Sequence, residues 1–241
     1  MRILILGGTG EARSLANRLD SLGHEIVTSL AGRTSDPILP RGGIRVGKFG
    51  GVAGLVAYLR AARVERLIDA THPYAGLISI NAAAAAKTYG IPLVRLMRPA
   101  WEQPEGTDWV HVDSLAAAAA ALPPVATVLL TTGHAGLEIF LERDDCSFLV
   151  RAIEPPRFAL PPHARLILSR PPYDLAHEEN LMRSEEVTHL VTKNSGGAQT
   201  RAKLDAAQNL GVRVIMITRP AYGPAIEVET VDEAIAALHL D

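Results

Sequence analysis

The stretch Arg2-Ile3-Leu4-Ile5-Leu6-Gly7-Gly8-Thr9-Gly10-Glu11-Ala12-Arg13 decides the fold class. Ile3 to Leu6 are apolar without alternation, the pattern of a strand covered on both faces. Glycines end it. From Glu11 to Leu22 the apolar residues Ala12, Leu15, Ala16 and Leu19 recur at helical spacing, and Gly23 supplies a stop. A glycine turn between strand and helix lets the backbone bend sharply and approach an anion without Cβ atoms in the way. The helix start adds unpaired N–H groups and the positive end of its dipole. Gly8 and Gly10 match the first two glycines of the dinucleotide fingerprint, whereas Arg13 stands where the third is expected. A turn with no ligand would use the same glycines; the placement directly after a strand and before a helix favours a dinucleotide. Gly7, Gly8, Thr9, Gly10, Glu11, Ala12 and Arg13 are therefore the candidate cofactor-binding residues.

The next strand, Ile26 to Leu30, narrows the cofactor. NAD sites place a carboxylate at its end, on the adenosine ribose. Here the sequence runs Thr28-Ser29-Leu30-Ala31-Gly32-Arg33-Thr34, with no carboxylate before Asp36. A hydroxyl at Ser29 and a guanidinium at Arg33 suit a 2′-phosphate instead. Arg33 alone would pass for an ordinary loop arginine; beside the glycine turn it favours NADPH.

Outward from there the strand–helix alternation continues, predicting parallel sheets. Ile44 to Val46, Leu67 to Ala70 and Pro92 to Leu96 complete a first set of strands, with helices over Leu55 to Ala62 and Asn81 to Tyr89. The proline- and charge-bearing segment Arg98 to Asp108 marks a boundary. Beyond it, Val125 to Thr131, Phe148 to Ile153, Leu166 to Ser169, Leu190 to Lys193 and Val212 to Thr218 are strand-like. Leu137 to Leu141, Asp174 to Arg183 and Thr200 to Leu210 are helical. An internal echo joins the halves: Tyr89-Gly90-Ile91-Pro92 through Arg98-Pro99-Ala100-Trp101 matches Leu210-Gly211-Val212-Arg213 through Arg219-Pro220-Ala221-Tyr222. Each copy precedes a short strand and an alanine-rich helix, Asp113 to Leu122 and Val231 to Leu238. The expected domains are 1–100, which binds the cofactor, and 101–241, with the helix 230–240 a candidate to return to the first.

Composition sets limits on function. With 48% apolar residues but only 5% aromatic, the core must be built from aliphatic side chains and alanine. A net charge of −2 supplies no general field for nucleic acid, so none is expected as a partner. Cys146 is the single cysteine, which excludes an intrachain disulfide and a thiolate-rich metal site. The eight histidines show no paired ligand spacing, and no metal is expected. The apolar opening is too short for a signal peptide, and no apolar run of roughly 18 residues occurs elsewhere. A cytoplasmic protein without membrane contact is the expectation.

Two further turns carry chemistry. Asp69-Ala70-Thr71-His72-Pro73-Tyr74 ends a strand and leads into a helix, where ligands of open α/β sheets bind. His72 is equally a proton donor or a helix cap, Tyr74 packs on a ligand or in the core, and Pro73 suits a first helical position. Lys193-Asn194-Ser195-Gly196-Gly197 repeats the geometry in the second half, its N–H groups suited to an anion and Lys193 adding charge.

In order along the chain, the glycine turn, Ser29-Leu30-Ala31-Gly32-Arg33, Asp69 to Ala75, Arg95 to Trp101 and Lys193 to Gly197 resemble the successive signatures of the precorrin-6A reductases. The match covers nearly the whole chain and is loosest from Trp109 to Glu186. The resemblance implies two Rossmann-like domains with cofactor and substrate in the cleft between them. It also implies NADPH-dependent reduction of one double bond of precorrin-6A, giving precorrin-6B in cobalamin biosynthesis. On that reading Thr71 joins the cofactor-binding set, and His72, Tyr74 and Lys193 are the catalytic candidates. The carboxylate-rich tetrapyrrole would be held by Lys193, Asn194, Ser195, Gly196, Arg98 and Arg151, with Arg95, Arg157, Arg170 and Arg201 as further candidate cations. Transient contact with neighbouring pathway enzymes is a further expectation. Three alternatives stay open: the cobalt-containing substrate of the anaerobic route, a non-catalytic dinucleotide sensor, and a reductase of a small carbonyl compound. The absence of a Tyr-x-x-x-Lys pair argues against the last.

Overall fold

The computed structural model describes residues 1–32, 38–134 and 136–238. The chain forms two compact units, the first made of Met1–Pro99 with Pro220–Asp241, the second of Ala100–Arg219.

In the first unit, β1 (Arg2–Leu6), β2 (Glu25–Leu30), β3 (Gly43–Val46), β4 (Arg66–Asp69) and β5 (Leu93–Leu96) alternate with α1 (Gly10–Ser21), α2 (Gly51–Ala61) and α3 (Gly76–Tyr89). In the second, β6 (Trp109–Val112), α4 (Leu115–Ala120), β7 (Thr127–Leu130), α5 (Leu137–Leu141), β8 (Ser147–Ala152) and β9 (Ala164–Leu168) come first. They are followed by α6 (Leu175–Ser184), β10 (His189–Lys193), a 3₁₀ turn (Ala198–Thr200), α7 (Ala202–Leu210) and β11 (Arg213–Ile217). Then β12 (Ile226–Val228) and α8 (Val231–Ala237) rejoin the first unit.

Every strand pairing is parallel. The first sheet runs β12-β5-β4-β1-β2-β3 and the second β6-β11-β10-β7-β8-β9. Counted from β1 and from β7, both have the 3-2-1-4-5-6 order of a dinucleotide-binding sheet. The sixth strand is exchanged reciprocally: β6 follows β5 in sequence but pairs with β11, and β12 follows β11 but pairs with β5. The second segment, expected to run through 101–241, thus ends at Arg219, and the return includes β12 as well as the last helix.

Burial explains the unbroken apolar strands. Ile3 and Ile5 pack with Leu15, Leu19, Ala234 and Leu238 on one face of the first sheet. Leu4 and Leu6 pack with Leu55, Leu59 and the α3 alanines Ala82, Ala85 and Ala86 on the other. A strand covered by helices on both sides has no solvent face to mark with polar residues. In the second unit, Leu129, Leu190, Val214 and Met216 meet Met182, Leu204, Ala206 and Trp101.

Two helices begin earlier than their periodicity predicts, α2 at Gly51 and α3 at Gly76. Their first turns hold glycines and β-branched residues of low helix propensity, and packing of Val52 and Ile78 on the core overrides it. Pro73 therefore lies in the turn before α3 rather than at its first position. Among the described residues no helix is long and apolar enough to cross a membrane.

Candidate functional site

The first sheet reverses its order between β1 and β4, where ligands of such sheets bind at the carboxyl ends of the strands. The glycine turn lies there. A Cβ on Gly7 would stand 2.8 Å from Thr28 Cγ2, so only glycine lets the turn press against β2. The Gly7 N–H donates to the Ser29 carbonyl at 2.9 Å, and Gly8 has φ +112°, in the region that favours glycine. Thr9 caps α1: its hydroxyl accepts from the Ala12 N–H at 3.0 Å and donates to the Ala70 carbonyl at 2.8 Å. That second bond ties the turn to the end of β4. The Arg13 N–H is bound to the Thr9 carbonyl, so Gly10 and Glu11 supply the first-turn donors that the helix leaves over.

An acidic side chain at this helix start would repel an anionic ligand. Arg98 Nη1 donates to both carboxylate oxygens of Glu11 at 3.0 Å and offsets that charge. Thr9, Glu11, Thr71, Pro73, Leu96 and Arg98 all line one small crevice.

The β4 turn is built around Asp69, which is buried. Its Oδ1 accepts from the Thr71 hydroxyl at 2.7 Å and the Thr71 N–H at 3.2 Å; its Oδ2 accepts from Arg95 Nε at 3.3 Å. Arg95 has no exposed surface and also donates through Nη1 to the Gly223 carbonyl and Glu227. It locks the returning segment to β5 and is not a surface cation for a ligand. His72 is exposed, and its Nδ1 accepts from the Tyr74 N–H at 3.2 Å, which places the proton of the neutral ring on Nε2. It caps its own turn, since α3 starts four residues later with Ala75 as its cap. The Tyr74 ring lies 5.9 Å from that of His72, and Tyr222 donates its hydroxyl proton to the Pro73 carbonyl.

At the other side of the glycine turn, Ser29 on β2 stands opposite Arg45 on β3. Arg45 Nη1 donates to Ser29 Oγ at 3.3 Å, and its guanidinium carbon lies 3.7 Å from the Phe49 ring centroid. Arg33 lies outside the described residues.

In the second unit the corresponding reversal falls between β7 and β10. Lys193 Nζ bridges it, donating to the Thr132 carbonyl at 2.5 Å. Asn194 is committed to the fold. Its Oδ1 accepts from the Trp101 N–H at 2.7 Å and its Nδ2 donates to the Trp101 carbonyl at 2.9 Å, as a neighbouring strand would. The Trp101 indole N–H binds the Gly197 carbonyl, and Ser195 N–H binds the Lys193 carbonyl, so the Lys193–Gly197 turn is held from both sides. Arg151, expected to contact substrate, is buried against Glu178 with the Tyr173 ring 4.1 Å from its guanidinium carbon. That pairing uses its charge inside the protein, because an isolated buried ion would be far too costly. Arg170 and Arg201 pair with Glu154 and Asp205 at the surface.

Comparison with known proteins agrees with the fold. The family model for the precorrin-6x reductases CbiJ/CobK matches residues 2–239. The chain belongs to that family. A precorrin-6A reductase of Rhodococcus erythropolis is 52% identical, over 98% of this chain and 96% of its own. The solved structure of CobK precorrin-6A reductase superposes with a TM-score of 0.92 at 44% identity, covering 99% of this chain and 96% of that one. A cobalt-precorrin-6A reductase of Priestia megaterium is 28% identical, over 98% of this chain and 97% of its own.

The structure brings the glycine turn, Ser29 and Thr71, three elements singled out in the sequence, to the carboxyl ends of β1, β2 and β4. Contacts that the sequence did not announce are those of Arg45 with Ser29, Asp69 with Thr71 and Arg95, and Trp101 with Asn194. Arg45 was within reach, because a third strand laid parallel to the second sets it opposite Ser29.

Proposed function

We propose that the protein is a precorrin-6A reductase that uses NADPH. The observation that carries this reading is the glycine turn at the β1–β4 reversal, with Glu11 offset by Arg98, in a chain matched to the reductase family over residues 2–239. Gly7 to Ala12 would hold the pyrophosphate, Gly10 and Glu11 through their N–H groups, with Arg13 flanking them on the first turn of α1. Ser29 and Arg33 would face the 2′-phosphate. Thr71, fixed by Asp69, would present its hydroxyl at the nicotinamide side. The nicotinamide supplies the hydride when bound.

Reduction of one double bond also consumes a proton. His72, whose Nδ1 accepts from the Tyr74 N–H, would offer one from Nε2. Tyr74 would bound the macrocycle beside it. A protonated macrocycle takes up hydride without a dedicated acid, so replacing His72 by glutamine is expected to slow turnover by less than the roughly 10²–10⁴-fold of an essential acid. Lys193, Ser195 and Gly196 would meet acetate or propionate groups of the substrate. The higher identity to the cobalt-free reductase supports precorrin-6A itself as substrate.

Purified protein mixed with precorrin-6A and NADPH should consume NADPH and yield a product heavier by two hydrogens. Turnover restricted to the cobalt-loaded substrate would transfer the assignment to the anaerobic route. Tight NADPH binding without turnover of either would favour the sensor.

A further inference from the structure

Arg45 is a half-buried arginine that donates only to neutral acceptors: Ser29 Oγ at 3.3 Å, the Gly47 carbonyl at 2.6 Å and the Lys48 carbonyl at 2.8 Å. Among the described residues no carboxylate lies within ion-pair distance of it, whereas Arg95 has two and Arg98 and Arg151 have one each. A partly desolvated charge with no counter-charge beside it gains more from an arriving anion than a fully solvated one does.

The surroundings hold this guanidinium in place. It is stacked on Phe49 at 3.7 Å, and Phe49 is in edge contact with Tyr58 at 5.3 Å. Phe49 is itself fixed by the chain. Gly50 and Gly51 both have φ +83°, and a Cβ on Gly54 would lie 1.7 Å from the Phe49 carbonyl oxygen. Stacking leaves the edge of a guanidinium, where its N–H donors lie, to meet a ligand.

Position gives the ligand its chemistry. Ser29 and Arg45 are register partners on β2 and β3, and the Ser29 carbonyl accepts the Gly7 N–H of the glycine turn. In this strand order the adenosine ribose lies at the end of the second strand. We infer that Arg45 is a further residue that reads the 2′-phosphate of NADPH, forming a fork to the phosphate while Ser29 donates its hydroxyl. The inference rests on the dinucleotide reading above and adds to it a specificity-determining arginine on β3. Propping the 47–48 loop is the competing role, and it would serve both cofactors alike.

The test is calorimetric binding of NADPH, NADH, 2′,5′-ADP and 5′-ADP to wild type, Arg45→Gln and Arg45→Lys, each checked for folding by circular dichroism. Wild type should favour NADPH over NADH by about 100-fold, the size of one or two charge-assisted contacts. Arg45→Gln should lose roughly 10- to 100-fold for NADPH and 2′,5′-ADP. Affinity for NADH and 5′-ADP should stay within about threefold of wild type, too small a change for a lost charged contact. Arg45→Lys, which keeps the charge but not the fork, should fall between and serves if the glutamine variant does not fold. Equal loss for both cofactors, or no loss for either, overturns the role of Arg45. Wild type that binds NADPH and NADH alike overturns phosphate reading but keeps the dinucleotide site. Wild type that binds neither overturns both.

Discussion

Asp69 accepts hydrogen bonds on both oxygens, from Thr71 on one and Arg95 on the other, with 2% of its side chain exposed. Replacing it by asparagine keeps the Thr71 bonds but turns an amide N–H₂ toward Arg95 Nε, breaking a buried pair. Removing one partner of such a pair costs about 3–5 kcal/mol, and the Gly223 and Glu227 bonds that Arg95 retains put the expected loss near the lower end, about 3 kcal/mol by urea unfolding. An unchanged midpoint would show that Gly223 and Glu227 together satisfy Arg95. His189 makes a pH prediction. Burial, with a smaller contribution from Arg213, lowers its pKa from the ordinary 6.5. Below about 6.5 the unfolded chain therefore takes up the proton first. The stability that neutral His189 contributes is full above that pH and is lost as pH falls through the folded value. Thermal unfolding from pH 8 to pH 5 should show a shallower acid decline for His189→Gln than for wild type, and parallel curves would contradict this. Residue types announced these positions unequally. Gly7 and Ser29 were legible because a turn and a missing carboxylate leave local marks. Asn194 stood out in a glycine motif, yet its partner Trp101 is 93 positions away, and only tertiary structure joins them.

At the scale of elements, the start of α2 combines helix, loop and aromatic stack. Gly54 lies inside the helix, where alanine would ordinarily be favoured by about 1 kcal/mol. The 1.7 Å approach of the Phe49 carbonyl to a Cβ at this position forces the Phe49–Gly50 backbone aside. Overpacking of this kind costs about 1–3 kcal/mol, so the steric cost outweighs the helical gain. Gly54→Ala is expected to be less stable than wild type by chemical denaturation. It should also bind NADPH more weakly while NADH is little affected, because Phe49 carries Arg45. A stabilised variant with unchanged binding would mean the loop yields at no cost. Buried strands and the well-patterned α1 were legible from period alone. The N-terminal turns of α2 and α3 were not, since packing rather than propensity forms them. The edge strands β6 and β12 bury residues incompletely and left only short, weak patterns.

For the whole molecule, the echo of Arg98-Pro99-Ala100-Trp101 in Arg219-Pro220-Ala221-Tyr222 disclosed two related halves. It did not disclose which sheet each following strand joins. Two sheets of the same order present equivalent edges at β5 and β11, and nothing local in a three- or four-residue strand chooses between them. The exchange has a consequence for folding. Residues 1–99 alone lack Ile226, Val228, Val231, Ala234, Ile235 and Leu238, which complete the core over Ile3, Leu15, Leu19 and Val94. They also lack the Val228 carbonyl that accepts from Met97, the Leu238 carbonyl that accepts from Arg66, and the Gly223 and Glu227 partners of buried Arg95. Leu238 is fully buried and Ile226, Val228, Val231 and Ile235 are partly buried; a fully buried large aliphatic side chain is worth about 1.5–3 kcal/mol and a partly buried one less, against a net domain stability of only about 5–15 kcal/mol. The missing segment is therefore comparable to the whole margin. A fragment of residues 1–99 is expected to show no cooperative unfolding transition, whereas 1–99 joined through a flexible linker to 220–241 should unfold cooperatively and bind NADPH. If the shorter fragment already did both, the returning strand and helix would be an attachment to the first unit and not part of its core.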